Sequence, residues 1–223
     1  MLHDLYTNLI AQNRWMLILQ GLGNTLIISL CAVVVGLVLG CVFALCKVSN
    51  SRLLRGIGNL YTTIIRGIPL ATQLMIFYFV VFSPLGLHNK MVVAIIGYGI
   101  NSGAYVTEII RAGIQGVDRG QMEAGRSLGL SKGMTMRKII LPQAVKTILP
   151  TYTSEFIALV KETSVVSFIG VMDLTKASDM IRSDTYNAWV PLLAAAVIYL
   201  ILTIGLTKLF GLLERRLARS DRG

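Results

Sequence analysis

The sequence predicts an all-α, polytopic membrane protein with about five spans, and three observations carry that prediction. Hydrophobic residues fill 54% of 223 positions against 14% charged ones, and the mean hydropathy is +0.69, too apolar for an ordinary soluble domain. Between Arg14 and Lys47 there is no Asp, Glu, Lys, Arg or His, a run longer than the roughly 20 residues a spanning helix needs. Lys and Arg concentrate at 47–66, 111–146 and 208–222, alternating with the apolar runs as cytoplasmic loops do under the positive-inside rule. The expectation is one transmembrane domain over residues 1–223.

That alternation also decides what the formal charge of +10 means. It orients the chain and contacts anionic lipid, and no nucleic-acid surface is expected. Cys31, Cys41 and Cys46 all fall in the first apolar run, and His3 and His88 stand apart. The sequence therefore predicts neither a disulfide framework nor a metal site. Asp4 and the lack of a basic cluster before the first apolar core speak against a cleavable signal peptide.

Taken in order, the opening MLHDLYTNLIAQNRW is weakly amphipathic and suits the membrane interface, with Trp15 at headgroup level. The first span is expected over about 21–46, where Gly36 and Gly40 form a small-xxx-small pair inviting close approach of another helix. Lys47, Arg52 and Arg55 then mark the cytoplasmic side. The second span, about 61–82, meets Arg66-Gly67-Ile68-Pro69. Pro69 removes a backbone donor and turns Ile68 away from helix, so a break or kink is expected. SPLGLHN, 83–89, reads as an outer turn. The third span, about 92–114, puts Asn101, Tyr105 and Glu108 on one face, with Glu108 able to pair with Arg111. Asn101 either lines a cavity or bonds a neighbouring helix.

The fourth apolar region, about 145–172, is disrupted near its start by Pro150 and contains Glu155, Lys161 and Glu162. Charged groups at that depth cost about 2.5–3.5 kcal/mol each and face the bundle interior. Glu155 and Glu162 share a face, and Lys161 is poorly placed for Glu155, which therefore wants a cation. A substrate ammonium and a salt bridge to another helix both remain open. VMDLTKASDMIRSDTYN reads as an outer loop, and a last span over about 189–210 ends at Glu214, Arg215, Arg216, Arg219 and Arg222. The N-terminus is thus expected outside and the C-terminus in the cytoplasm.

The most polar stretch, Gln121 to Pro142, carries Glu123, Arg126, Lys132, Arg137 and Lys138. It must project into water. Glu123-Ala124 opens a helix-favouring run, Gly129 is placed to end it, and Ser131 to cap a second helix running to Pro142. Such a pair of short helices serves either as a docking knob or as an ordinary connector.

Glu123-Ala124, Gly129, Ile139 and Leu141-Pro142 resemble the EAA loop of ABC-importer permeases, although Gly125 stands where that pattern has a second alanine. RGIPLATQ (66–73), NSGAYVTEIIRAGIQ (101–115) and KETS (161–164) are similar to the polar amino-acid branch, the histidine/glutamine/arginine/cystine type. The resemblance implies a type I ABC importer permease fold in the bacterial cytoplasmic membrane, with the ATPase-coupling loop at about 115–146. The coupling residues would be Glu123, Ala124, Gly125, Ser127, Leu128 and Gly129. It implies import of polar or charged L-amino acids by alternating access. The partners would be two ABC ATPase subunits, a second permease, identical or related, and an extracytoplasmic amino-acid-binding protein. The substrate pocket is expected at Glu155 and Asn101, then Ser102, Tyr105 and Gln73, with the substrate carboxylate at a helix N-terminus near Pro69 or Pro150.

No GxxxxGK[ST] loop occurs, so no cofactor is expected on this chain, and ATP and Mg belong to the partner ATPase. HExxH and His/Asp clusters are also missing, which leaves a membrane-embedded enzyme without support. An ion-coupled secondary transporter is the alternative, and it would use carboxylates such as Glu155 without any ATPase.

Overall fold

The computed structural model describes residues 6–219, with side chains through Glu214. His3, Asp4 and Arg222 lie outside that range. After a π turn and a short 3-10 turn, the first long helix is α1 (Trp15–Val48), followed by α2 (Arg52–Gly67) and α3 (Leu70–Met75), which continues as a π turn over Ile76–Phe82. Next come α4 (Lys90–Gln115), α5 (Arg119–Ser127) and α6 (Lys132–Thr135). Helix α6 passes through a π turn, Met136–Ile140, into α7 (Leu141–Glu162). A 3-10 segment, Thr163–Ile169, leads to α8 (Leu174–Thr185) and α9 (Trp189–Arg219).

α1, α4 and α9 are each long and apolar enough to cross a membrane, and α2 with the helix from Leu70 to Phe82 forms a fourth, bent by 104°. α7 is the remaining long helix, where the sequence led to the expectation of a further span. It carries Lys146, Glu155, Lys161 and Glu162, and it packs on α1, α4 and α9. Leu30, Val34, Val38 and Leu45 on α1, and Leu193, Val197, Leu200 and Ile201 on α9, are exposed, as lipid-facing positions should be.

The centre of the bundle is the α1–α4 pair. A methyl built at Gly36 would sit 2.9 Å from Ser102 Cβ, and one at Gly99 would sit 2.5 Å from Val35 Cγ1. The predicted small-xxx-small pair thus has a matching set on α4, and both backbones approach closely. Around this seam Ile28, Ala32, Leu74, Ala94, Tyr98, Leu159 and Val166 form the main core.

Four expectations need correction. Pro150 does not disrupt its helix, since α7 runs through it. Hydroxyls take up bonding along that turn: Thr153 and Ser154 donate to the Pro150 carbonyl at 2.9 and 3.0 Å, and Thr151 donates to Thr147 at 3.3 Å. Proline costs the helix only one backbone bond, and membrane helices tolerate that loss where packing against neighbours holds them. The second loop helix does not stop at Pro142 either. The π turn just before it, closed by the Leu141 amide on the Met136 carbonyl, leads the chain past the proline, so Lys132 to Glu162 is one near-continuous rod. The fourth apolar region does not reach Met172 as a helix, because it tightens to 3-10 at Thr163 and ends at Gly170, whose φ is +77°.

The supposed outer loop is largely the helix α8, packed on α1 and α9 through Leu174, Ala177 and Ile181. Asp173, fully buried, caps it by accepting from the Thr175 and Lys176 amides at 2.9 and 3.0 Å and from the Tyr199 hydroxyl at 3.2 Å. This cap and the three-residue spacing of apolar positions are legible signals for a helix that the loop reading passed over.

Candidate functional site: a broken helix, a charged cleft and an exposed elbow

The break between α2 and α3 lies beside the middle of α4. Ile68 and Pro69 are extended, at φ/ψ of −110°/136° and −59°/137°. This leaves carbonyls at the end of α2 without helical donors. Gln73, 3% exposed, satisfies them: its amide nitrogen donates to the Ile68 carbonyl at 2.7 Å and to the Ile65 carbonyl. Its amide oxygen accepts from Asn101 Nδ2 at 3.2 Å. Two of the five expected substrate residues thus meet, and they stitch the break to α4. Ser102 lies 1% exposed in the α1–α4 seam, with its hydroxyl unpartnered among the described residues.

The other two sit on the charged side of the bundle. Tyr105 is half-buried, with the Arg66 guanidinium carbon 5.0 Å from its ring centroid. Glu155 is half-buried on α7. Above it, a cleft of ≈580 Å³ opens between the start of α3 (Pro69, Leu70, Ala71) and the end of α7, with Lys161, Glu162 and Ser164 on its other wall. The helix start after Pro69 thus faces a wall that carries both an ammonium and a carboxylate, a mixture of charges that suits a zwitterion. Since α7 continues through Pro150, that proline offers no helix N-terminus and only the one after Pro69 remains for a carboxylate.

Further along α4, Glu108 pairs with Arg111 at 2.7 Å as expected, and also with Lys47. Lys47 in turn donates to Thr62 at 2.9 Å. Its stem crosses α2 at Gly58, where a built methyl would lie 2.6 Å from Lys47 Cγ. The sequence marks Lys47 only as a boundary charge, because its partner is 61 residues away.

Beyond the end of α4, Asp118 caps α5 by accepting from Gly120 N at 2.6 Å. The Leu130 and Gly129 amides close its other end on the carbonyls of Gly125 and Arg126, at 3.1 and 3.0 Å, with Gly129 at φ +82°. This is the Schellman arrangement, which favours glycine at that position. Ser131 caps the next helix by accepting from Met134 N at 3.2 Å. Glu123, Ala124, Ser127, Leu128 and Gly129 face outward, Leu128 at 81% exposure. Gly125 alone of the expected coupling residues is buried: a methyl there would lie 2.5 Å from Thr135 Cγ2. The departure from the two-alanine pattern therefore coincides with a tight crossing of α5 over the rod.

Residues 32–219 match the family described as the binding-protein-dependent transport system inner membrane component. The chain belongs to that family. Its relatives include a putative glutamine transport system permease of Rickettsia bellii, 44% identical over 90% of this chain and 92% of the relative. An arginine transport system permease of Bacillus subtilis is 42% identical over 92% and 94% of the two chains. A solved amino acid ABC transporter matches with a TM-score of 0.84 and 43% identity over 90% of this chain and 94% of that one. A MetNI methionine ABC transporter, at 20% identity and a TM-score of 0.79, shares the fold. The chain is thus an inner-membrane subunit of an ABC importer whose ATP hydrolysis occurs on a separate subunit, and the ion-coupled alternative is not favoured.

Proposed function

We propose that this chain forms the translocation path for polar or charged L-amino acids and that Glu155 receives the ammonium or basic side chain of the substrate. One observation carries the reading: the rod from Lys132 to Glu162 joins the outward-facing elbow to Glu155 and the cleft above it. Relatives named for glutamine and arginine transport give the substrate class. The helix start after Pro69, with Lys161, suits the carboxylate. Tyr105 closes the side of the path, while Asn101, Gln73 and Ser102 shape it from within the wall.

In the working complex, two such permeases, identical or related, enclose the path above two ATPases that hold ATP and Mg, with the binding protein delivering substrate from outside. The N-terminus lies outside, the C-terminus in the cytoplasm, and residues 1–223 act as one domain embedded in lipid. ATP binding draws the elbows together, and each rod moves its Glu155. The shift follows from the ATPases binding one state of the permease more tightly than the other. The test is Glu155→Gln in the reconstituted complex. The expected result is loss of amino-acid-stimulated ATP hydrolysis and uptake with basal hydrolysis retained. Unchanged stimulation and uptake remove Glu155 from the path.

A further inference from the structure

Phe156, Leu159 and Val160 of α7 are buried in the bundle, whereas Thr147, Thr151, Ser154 and Glu162 are exposed. Together with half-buried Glu155 and Ala158, the exposed residues recur at three- and four-residue spacing and form one face of the helix. That face lies at the depth of a spanning helix, because α7 runs antiparallel to α4. A methyl built at Gly113 would meet Ile148 at one end, and the Tyr98 hydroxyl donates to the Glu162 carbonyl at 2.8 Å at the other. Hydrocarbon does not solvate hydroxyls and carboxylates, so such a face looks on water. Toward the elbow it meets a second cavity of ≈300 Å³, walled by Thr147 and Thr151 from α7 and by Glu108, Ile109 and Ala112 from α4. Glu155 lies one turn beyond Thr151, between this cavity and the cleft at Glu162.

We propose that this cavity is the elbow-side vestibule of the path, a second and weaker station for the amino acid after it leaves Glu155. The inference rests on Glu155 and the cleft lining that path. Threonine hydroxyls can bond the ammonium, amide or carboxylate groups of an amino acid alike. Thr151 gives its own proton to the Thr147 carbonyl at 3.3 Å, which leaves its oxygen as an acceptor. Glu108 adds a carboxylate, but one already compensated by Arg111 at 2.7 Å and by Lys47. Glu155 has no ion pair among the described residues. A cation therefore gains less at Glu108 than at Glu155, and the two stations stand in an order, strong then weak, that favours release. Arg111 and Lys47 thereby keep the vestibule from trapping a cationic amino acid.

The experiment uses the assembled permease–ATPase complex in lipid nanodiscs, without nucleotide, carrying Thr151→Cys. The probe is a hydrophilic, positively charged methanethiosulfonate, and labelling of each cysteine is read by peptide mass spectrometry. Native Cys41, exposed on the apolar face of α1 beside Val38 and Leu45, is the lipid-facing reference. Thr151→Cys is expected to react several-fold faster than Cys41. An excess of L-glutamine with L-arginine should slow that reaction several-fold, both with Glu155 intact and in Glu155→Gln. Thr147→Cys, one turn away, gives the same readout should Thr151→Cys fail to assemble. Reaction no faster than at Cys41 overturns the proposal, because the face is then covered. Fast reaction that the amino acids leave unchanged also overturns it, since water enters and substrate does not. Protection that is lost in Glu155→Gln is transmitted from Glu155, which overturns the vestibule and sustains the upper site. Uptake by Glu155→Gln is a separate readout, so the two ideas fall separately.

Discussion

Gln73 shows how one amide can hold a broken span in place. It donates to two carbonyls freed at the Ile68-Pro69 break and accepts from Asn101. Unsatisfied buried groups of this kind cost about 1–3 kcal/mol each. Gln73→Ala should therefore lower the thermal midpoint of the purified complex clearly, whereas Asn101→Ala, which removes one 3.2 Å bond, should lower it less. If the two residues served substrate alone, uptake would fall in both variants with no change in midpoint. Gly125→Ala should cost about 1–3 kcal/mol through overpacking against Thr135. Gly125→Ala with Thr135→Ala should recover most of that loss in the same melting assay, and a double variant no better than the single one would contradict the crossing. On α8, Asp179 is bonded by Arg182 at 2.6 Å and by Lys176 at 3.2 Å, which hold its carboxyl below the usual carboxylate range. A depressed carboxyl stabilises the fold above its unfolded pKa of about 3.9 and loses that contribution as pH falls below it. Because the site is solvent-exposed the effect is small, so Asp179→Asn should melt like wild type at pH 7.

The elements were legible wherever the signal was local. The uncharged run announced α1, Gly36 and Gly40 announced the seam with α4, Pro69 announced the break, and Ser131 and Gly129 announced the elbow's caps and turn. What stayed hidden depended on partners far along the chain. Asp173 carried a local cap signal that the loop reading passed over, and only its Tyr199 partner, 26 positions away, lay beyond the reach of spacing. Pro150 looked like a breaker because the packing of α7 on α1, α4 and α9, which carries the helix through it, cannot be seen in a sequence. Asn101 was readable as cavity-lining or helix-bonding, and Gln73 decided which contact it makes. The continuity of the rod is the feature with most functional consequence, and Pro142 concealed it. Inserting Gly-Gly between Ala144 and Val145 should therefore sever elbow from cleft. The expected outcome is an assembled complex with basal ATP hydrolysis that amino acid no longer stimulates. Retained stimulation would show that force reaches the path by another helix.

At the scale of the molecule, the charges divide the bundle into a lipid-facing exterior, a charged interior path and a water-facing elbow. α1 and α9 supply the exterior, α4 the buried centre, and α7 the link between path and elbow. Glu155 anchored the sequence reading of the path, but Arg66 was visible only as one more basic residue near a boundary. Its ring partner lies on α4, and no spacing rule connects them. The central claim is that this chain gates transport while another polypeptide drives it through the elbow. The most direct test is amino-acid uptake into sealed proteoliposomes holding either this permease alone or the permease with its ATPase and binding protein. The account predicts concentrative uptake only in the second case and only with ATP on the ATPase side. Concentrative uptake by the permease alone, driven by an imposed proton or sodium gradient and without nucleotide, would contradict it.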